Sequence, residues 1–147
     1  MRLNFNVKMV GENRFKGVIL KKQKEILFRS MVKMQEIATM KCPVDTGRLR
    51  SSINLDPIFL GAWNYTLSVG VDYGIDVEYG TSPHMVPVKE LEGWSRRVLG
   101  SADAAFPVAL KIAERGTPAQ PFFRPSYDEV INIWLPSIKN SVMANSQ

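Results

Sequence analysis

Residues 42–53, CPVDTGRLRSSI, separate a long helical pattern from two alternating segments, and they constrain the fold more than any other stretch. Proline disfavours the α conformation in the residue before it, so Pro43 predicts that the first helix ends near Cys42. Asp45 is a favourable N-cap, and its carboxylate is expected to accept from the amide of Arg48 and open a short second helix. On local chemistry a helix–turn–strand connection is the favoured interpretation, and a binding site is the alternative.

The segment before this corner, residues 14–41, has the periodicity of an amphipathic helix. Its expected buried face consists of Ile19, Ile26, Leu27, Met34, Ile37 and Ala38. The basic residues between positions 16 and 33 lie mostly elsewhere on the helix, as either a solvated face or a phosphate-binding stripe. Glu25 and Glu36 interrupt the positive charge, which favours the solvated face.

Two apolar segments after the corner predict an antiparallel hairpin. Residues 53–60 form the first segment, in which Pro57 implies an edge strand, a bulge or a break. Residues 65–71 form the second, with apolar side chains at alternate positions. Residues 73–79 also alternate, and their periodicity leaves both a strand and a short helical turn open.

The remainder of the chain has helical patterns. Residues 88–115 are expected to form a helical excursion from the sheet, in which Gly100 ends the first of two helices. Ser126 and Glu129 fit a capping box that opens the last helix, and Pro136 predicts a kink or break near Leu135.

These elements predict an α+β fold. A small antiparallel sheet packs against a long N-terminal helix and a C-terminal helix, with the helical excursion near residues 88–115. Residues 1–147 are expected to form a single domain, since this length suits one packed core. An alternating segment at Leu3, Phe5 and Val7 suggests an N-terminal arm within residues 1–12.

Composition excludes several classes of protein. No apolar run approaches the roughly 18 residues that span a membrane, and the first residues lack a signal-peptide pattern. We therefore expect a soluble protein made in a cytoplasm, without a membrane partner. The net charge of +5 is compatible with nucleic-acid binding, but a charge of this size also simply supports solubility.

No catalytic motif is recognisable. Cys42 is the only cysteine and His84 the only histidine, so an internal disulfide and a cysteine zinc cluster are impossible. A Cys42–His84 dyad is formally conceivable, but nothing in the local sequence supports it. The carboxylates lack the spacing of a calcium loop and are better explained as surface or capping groups. We expect no enzyme activity, no metal and no cofactor.

Phe122 and Phe123 lie between prolines and allow two interpretations. They form either a stiff apolar peg that enters a partner's pocket, or an anchor that holds the last helix to the sheet. Under the first interpretation, residues 122–124 and the corner at residues 45–50 are the principal contact elements.

Three segments resemble the signature of a family of small structural proteins of tailed phages. They are PVDTGRLRSSI at 43–53, VEYGT at 77–81 and AQPFFRP at 119–125. In order and spacing they are similar to the gene-product-ten-like group of lambdoid phages, which is assigned to the neck or tail-completion region. Tyr79 stands where that family usually has Phe. The matching positions, expected to be interaction residues, are Asp45, Thr46, Gly47, Arg48, Arg50, Glu78, Gly80, Thr81, Gln120, Pro121, Phe122, Phe123, Arg124 and Pro125.

The resemblance implies a structural virion protein at the head–tail junction, located in the neck of the particle after synthesis in the host cytoplasm. It implies a ring of copies, for example six or twelve, around the DNA channel. The expected partners are further copies of the chain, a head-side connector or head-closure protein, and a tail terminator or tail tube protein, with DNA in the lumen. The alternative is a basic nucleic-acid-binding module that uses residues 16–33.

Overall fold

The computed structural model describes residues 16–144 of the chain. The expected N-terminal arm lies outside these residues. The described elements, in chain order, are α1 (Lys16–Lys41), α2 (Arg48–Ser51), β1 (Ile53–Asp56), β2 (Thr66–Val69), α3 (Gly74–Tyr79), α4 (Val88–Leu99), α5 (Ala105–Arg115), α6 (Phe123–Glu129), a π-helical turn (Val130–Trp134) and α7 (Leu135–Ala144). The predicted α+β class is confirmed: a long first helix, a two-stranded antiparallel sheet and a C-terminal helix.

The sheet is the predicted hairpin. β1 and β2 pair antiparallel, with Ile53 opposite Val69 and Leu55 opposite Leu67. These four side chains are buried, whereas the alternate residues of β1 face solvent, so one side of the hairpin carries the core. β1 ends at Asp56, directly before Pro57, because proline has no N–H to donate to a ladder.

The core lies between α1, the hairpin and the last helices. α1 contacts β1, α6 and α7. Met34, Ile37 and Ala38 are buried as predicted, but Ile19 is 50% exposed, so the predicted buried face is wrong at its N-terminal end. The described part of the chain does not cover that end of the helix.

The predicted excursion is a pair of helices that pack against each other, α4 and α5. α4 ends at Gly100, whose φ of 79° is the left-handed conformation predicted for a helix stop. Among the described residues, the main core cluster contains no side chain from either helix. The pair is therefore held to the body by contacts outside the core.

The structure defines the local conformation at two places where the sequence was ambiguous or predicted an interruption. Residues 74–79, for which strand and helical turn were both candidates, form α3. The interruption predicted near Leu135 is the π-helical turn, in which the N–H of Leu135 bonds to the carbonyl of Val130. This wider turn accommodates Pro136, which cannot donate to the regular α-helical pattern.

Candidate functional site

Glu78 closes the N-terminus of α6. Its carboxylate accepts hydrogen bonds from the backbone N–H groups of Phe122 and Phe123, both at 2.8 Å, and of Arg124 at 2.9 Å. The Glu78 side chain is on α3 and is only 2% exposed. A carboxylate at a helix N-terminus is favoured by the helix dipole, and these bonds satisfy donors that have no partner within the helix.

Pro125 completes this arrangement. The first four N–H groups of a helix lack an intrahelical partner, and in α6 they belong to residues 122–125. Glu78 binds three of them, and the fourth position is Pro125, which has no N–H. Glu78 and Pro125 together therefore account for all four N–H positions at the start of α6.

The predicted capping box at Ser126 is wrong for the same reason. α6 begins at Phe123, four residues before the Tyr127 at which the box would start it, because Glu78 supplies the cap from a distant part of the chain. Ser126 is buried inside the helix, where its hydroxyl donates to the carbonyl of Phe123 at 2.5 Å.

The segments that resemble the second and third family motifs run beside each other. The N–H of Gln120 donates to the carbonyl of Val77 at 2.8 Å, and the N–H of Thr81 donates to the carbonyl of Thr117 at 3.0 Å. The N–H of Thr117 in turn donates to the Thr81 hydroxyl at 3.0 Å. These bonds join residues 77–81 to residues 117–124 in one polar network.

A glycine permits this close approach. Gly116 has φ 72° and ψ −162°, a region open almost only to glycine. A Cβ at this position would overlap the carbonyl oxygen of Thr81.

Gly116→Ala is therefore expected to destabilise the fold by about 3 kcal/mol or more, from backbone strain and overpacking together. Gly100→Ala is the control, because Gly100 also has positive φ but its Cβ would meet open space. That variant is expected to cost about 1–2 kcal/mol. Urea denaturation of both variants measures the difference, and equal midpoints would contradict the proposed close contact.

The corner at residues 42–53 is built differently from the prediction. Asp45 does not cap α2: the N-cap position is Gly47, in the left-handed conformation with φ 80° and without a side-chain cap. The carboxylate of Asp45 instead accepts two hydrogen bonds from Arg97 of α4, at 2.8 Å from Nε and 2.6 Å from Nη2. The bidentate pair ties the corner to the helical excursion.

Arg97 also holds the pKa of Asp45 below its usual value, chiefly through the side-chain hydrogen bonds. Because the folded pKa is depressed, the pair's contribution to stability is present above the unfolded pKa of 3.8 and is lost as pH falls through the folded value.

Asp45→Asn and Asp45→Ala are expected to lower the melting temperature by the same small amount at pH 7, because the pair is exposed and both variants remove the charge. The loss relative to the wild type should shrink at pH values below the folded pKa of Asp45. Thermal melts at low salt measure this. Recovery of wild-type stability by asparagine alone would instead restore the N-cap interpretation.

The remaining residues of the corner divide between surface and interior. Arg48 and Thr46 are exposed, whereas Leu49 is in the core. Nη2 of Arg50 lies 3.5 Å from the carbonyl of Cys42. Burial raises the pKa of the Cys42 thiol, and the charge of Arg50 offsets part of that rise.

A cavity of about 420 Å³ lies between the corner, α3 and α4. Its lining includes residues 43–49, Val77 and Gln120, so each of the three segments that resemble the family contributes to its wall. Trp94 and Val98 of α4 close the cavity on the excursion side. Residues far apart in the sequence therefore meet at one place.

Phe122 and Phe123 are core residues. They are 1% and 2% exposed and meet edge to face with their ring centroids 6.4 Å apart. The interpretation as an anchor for the last helix is confirmed, and the interpretation as an exposed peg is wrong because α6 turns both rings inward. The third motif exposes residues 119–121 and Arg124 to solvent, and the guanidinium of Arg124 lies over the Tyr79 ring at 4.8 Å from its centroid.

The sequence interpretation missed Arg97 and Trp94 as partners of the corner. Arg97 is 52 residues from Asp45, and no local pattern connects the two. The only sequence signal for this contact was the basic pair at positions 96 and 97. No spacing rule relates such a pair to a carboxylate so far away in the sequence.

The described residues contain no group of three or more His, Cys, Asp or Glu side chains that could hold a metal ion. The His84 ring makes its hydrogen-bond contacts inside its own loop, where Nδ1 is 2.9 Å from the carbonyl of Ser82 and 3.3 Å from the Thr81 hydroxyl. No helix within residues 16–144 is both long and apolar enough to cross a bilayer.

Comparisons with protein-family models, with curated proteins and with solved structures find no match to this chain.

Proposed function

We propose that this protein is a structural component of the head–tail junction of a tailed bacteriophage, where copies of it form a ring that joins the head connector to the tail around the DNA channel. The proposal rests on the resemblance of three sequence segments to a family of neck and tail-completion proteins. The observation that supports it most directly is that these three segments, whose outermost residues are 82 positions apart, form one connected structural unit.

The connections within that unit are specific. Glu78 of the second segment binds the backbone of residues 122–124 in the third, and Val77 binds Gln120. The first segment meets both at the 420 Å³ cavity. Motif residues that maintain one another's geometry are what a rigid assembly subunit requires, because a joint between two large bodies depends on fixed shape rather than on chemistry.

The alternative of a nucleic-acid-binding helix receives less support. Within α1, Arg29 pairs with Glu25 at 2.6 Å and Lys33 pairs with Glu36 at 3.0 Å. The ammonium group of Lys33 also lies 4.1 Å from the centre of the Trp134 ring. Basic groups engaged in such intramolecular contacts are less available to phosphates than an uninterrupted stripe would be.

The test is deletion of the gene in the phage that carries it. We expect heads filled with DNA and complete tails that are not joined, since neither packaging nor tail growth would depend on this ring. Electron microscopy of the lysate and plaque counts measure the outcome. Full infectivity of the deletion phage would overturn the proposal, and empty heads would favour the nucleic-acid alternative.

Complementation locates the contact surface. Arg48→Ala with Arg124→Ala changes two exposed motif residues, and Lys89→Ala with Lys139→Ala is a matched control with two exposed basic residues outside the motifs. The motif variant is expected to leave heads and tails unjoined, and the control is expected to restore infectivity. Circular dichroism of both purified variants verifies that each is folded.

A further inference from the structure

The connection between β1 and β2 exposes a cluster of large apolar side chains. Within this apolar loop, residues 57–64, Ile58 is 79% exposed, Phe59 61%, Leu60 55% and Trp63 39%. The hydroxyl of Tyr65 donates to the carbonyl of Phe59 at 2.9 Å and so fixes the shape of the loop from beneath. Single exposed apolar residues are ordinary, but a contiguous group of them marks an interaction site.

A second apolar surface lies on the helical excursion. The α4–α5 groove has a volume of about 770 Å³, within the range of roughly 300–1,000 Å³ typical of pockets that take compact apolar groups. Its apolar wall consists of Leu91, Trp94, Val108, Ile112 and Pro118. The lining also includes two cationic residues, Lys111 and Arg115.

The apolar loop and the groove belong to opposite ends of the hairpin. Trp94, which lines the groove, also faces the corner, and the corner leads through α2 to Ile53 at the start of β1. The loop begins after Asp56, at the far end of that strand. Because Tyr65 holds the loop at that end, the loop of one copy is placed to meet a groove on another copy rather than its own.

The groove is cationic, whereas the loop itself contains no charged residue. The chain has no lysine or arginine from Ser51 to Val88, and Asp56 at the base of the loop is exposed. The groove presents Lys111 and Arg115. The other charged groups nearby are Lys24, whose ammonium lies 4.2 Å from the centre of the Trp63 ring, and Glu114, which is exposed on α5 but outside the groove lining.

We propose that the apolar loop of one copy inserts into the α4–α5 groove of a second copy. At the observed exposures, the four large side chains of the loop would bury on the order of 400–500 Å², which is more than half of the roughly 800 Å² per partner in a standard interface. A contact between two different surfaces of the same chain repeats by rotation and closes a ring. In this respect the inference rests on the proposed function and names the contact that would build its ring.

If the loop of each copy binds the groove of the next, a loop variant and a groove variant should each associate weakly alone but bind each other when mixed. The double variant Ile58→Asp with Phe59→Asp places charges on the apolar loop, and Val108→Glu places a charge in the groove. Because Val108 is half-buried, Lys111→Glu with Arg115→Glu is a second groove variant that changes exposed residues only. Met85→Asp, at an 84% exposed position outside the loop, and Leu110→Glu, 50% exposed on α5 outside the groove, are the controls.

Sedimentation of the full-length chain over a range of concentrations measures association. We expect the wild type and both controls to associate, and each loop or groove variant to associate on the order of 30-fold more weakly, as for loss of an interface anchor. An equal mixture of a loop variant and a groove variant retains one intact loop and one intact groove. We therefore expect that mixture to form dimers and nothing larger.

Three results would overturn this inference: a wild type that stays monomeric at every concentration, a loop variant that associates like the wild type, or a mixture that stays monomeric. The second result would mean that a surface other than the apolar loop makes the contact. The deletion phage tests the function separately. Unjoined heads and tails together with unaltered association of the loop variant would refute the inference alone, whereas a fully infectious deletion phage would refute the function alone.

Discussion

A Glu78→Ala variant is expected to lose about 3–5 kcal/mol of folding free energy. Its carboxylate serves three backbone N–H groups at the start of α6, and each buried donor left without a partner costs about 1–3 kcal/mol, less than additively for neighbours. Since a domain has only about 5–15 kcal/mol of net stability, the variant should be close to unfolding at physiological temperature.

Asp76→Ala is the matched control for Glu78. Asp76 lies on the same short helix but is exposed, so its loss should change stability by less than about 0.5 kcal/mol. Glu78→Gln keeps one acceptor oxygen and is expected to lie between the two. Urea denaturation gives all three values. If Glu78→Ala retained stability within about 1 kcal/mol of the wild type, another interaction would have to hold the start of α6.

Replacement of both Phe122 and Phe123 by alanine should prevent folding. Each ring is buried, and truncation of a buried phenylalanine costs about 3–5 kcal/mol through lost burial and the remaining cavity. If the proposed function is tested with such a double variant, loss of infectivity would therefore report an unfolded protein and not a missing contact.

Phe106→Ala is the control, because it makes the same phenylalanine-to-alanine change at an exposed position. Phe106 is 59% exposed on α5, so this change should leave the urea midpoint nearly unaltered. Phe122→Leu preserves most of the apolar volume and is expected to cost less than about 1.5 kcal/mol. A double alanine variant that stays folded by circular dichroism would contradict the assignment of these rings to the core.

The elements that the sequence predicted correctly are those whose signals are local. The hairpin follows from alternation over residues 65–71, and its first strand ends where Pro57 requires. α4 has the predicted bounds because its periodicity and its glycine stop act within a few residues of each other.

Both predicted caps failed, because a distant partner outweighed a local preference. Asp45 suits an N-cap, yet the bidentate contact with Arg97 places its carboxylate toward α4. Ser126 suits an N-cap, yet the carboxylate of Glu78 starts the helix four residues earlier. A cap contributes about 1 kcal/mol, which the buried carboxylate of Glu78 exceeds because it serves three N–H donors.

The sequence indicated which segments form the candidate site, but not what each residue does there. The resembling segments are the ones that converge, but nothing local distinguishes a phenylalanine pair that points inward from one that points outward. The direction is decided by where α6 begins, and that depends on a side chain 44 positions away. The sequence also did not reveal that Ile58 to Leu60 are exposed, because an apolar run is compatible with a buried strand. In the structure the strand pairing ends before Pro57.

The backbone bonds between Thr81 and Thr117 have a further consequence. They bring together the two ends of residues 82–116, so that this stretch leaves the body and returns to it through a closed stem. Extra or missing residues are tolerated best where they do not disturb the closure of such a stem or the core beneath it. The body made of α1, the hairpin, α3 and the last helices should therefore accept an exchanged α4–α5 unit that keeps the contacts of α4 with the corner. Under the proposed loop–groove contact, grafting that one unit onto another copy of this scaffold would change which copies associate and leave the scaffold intact.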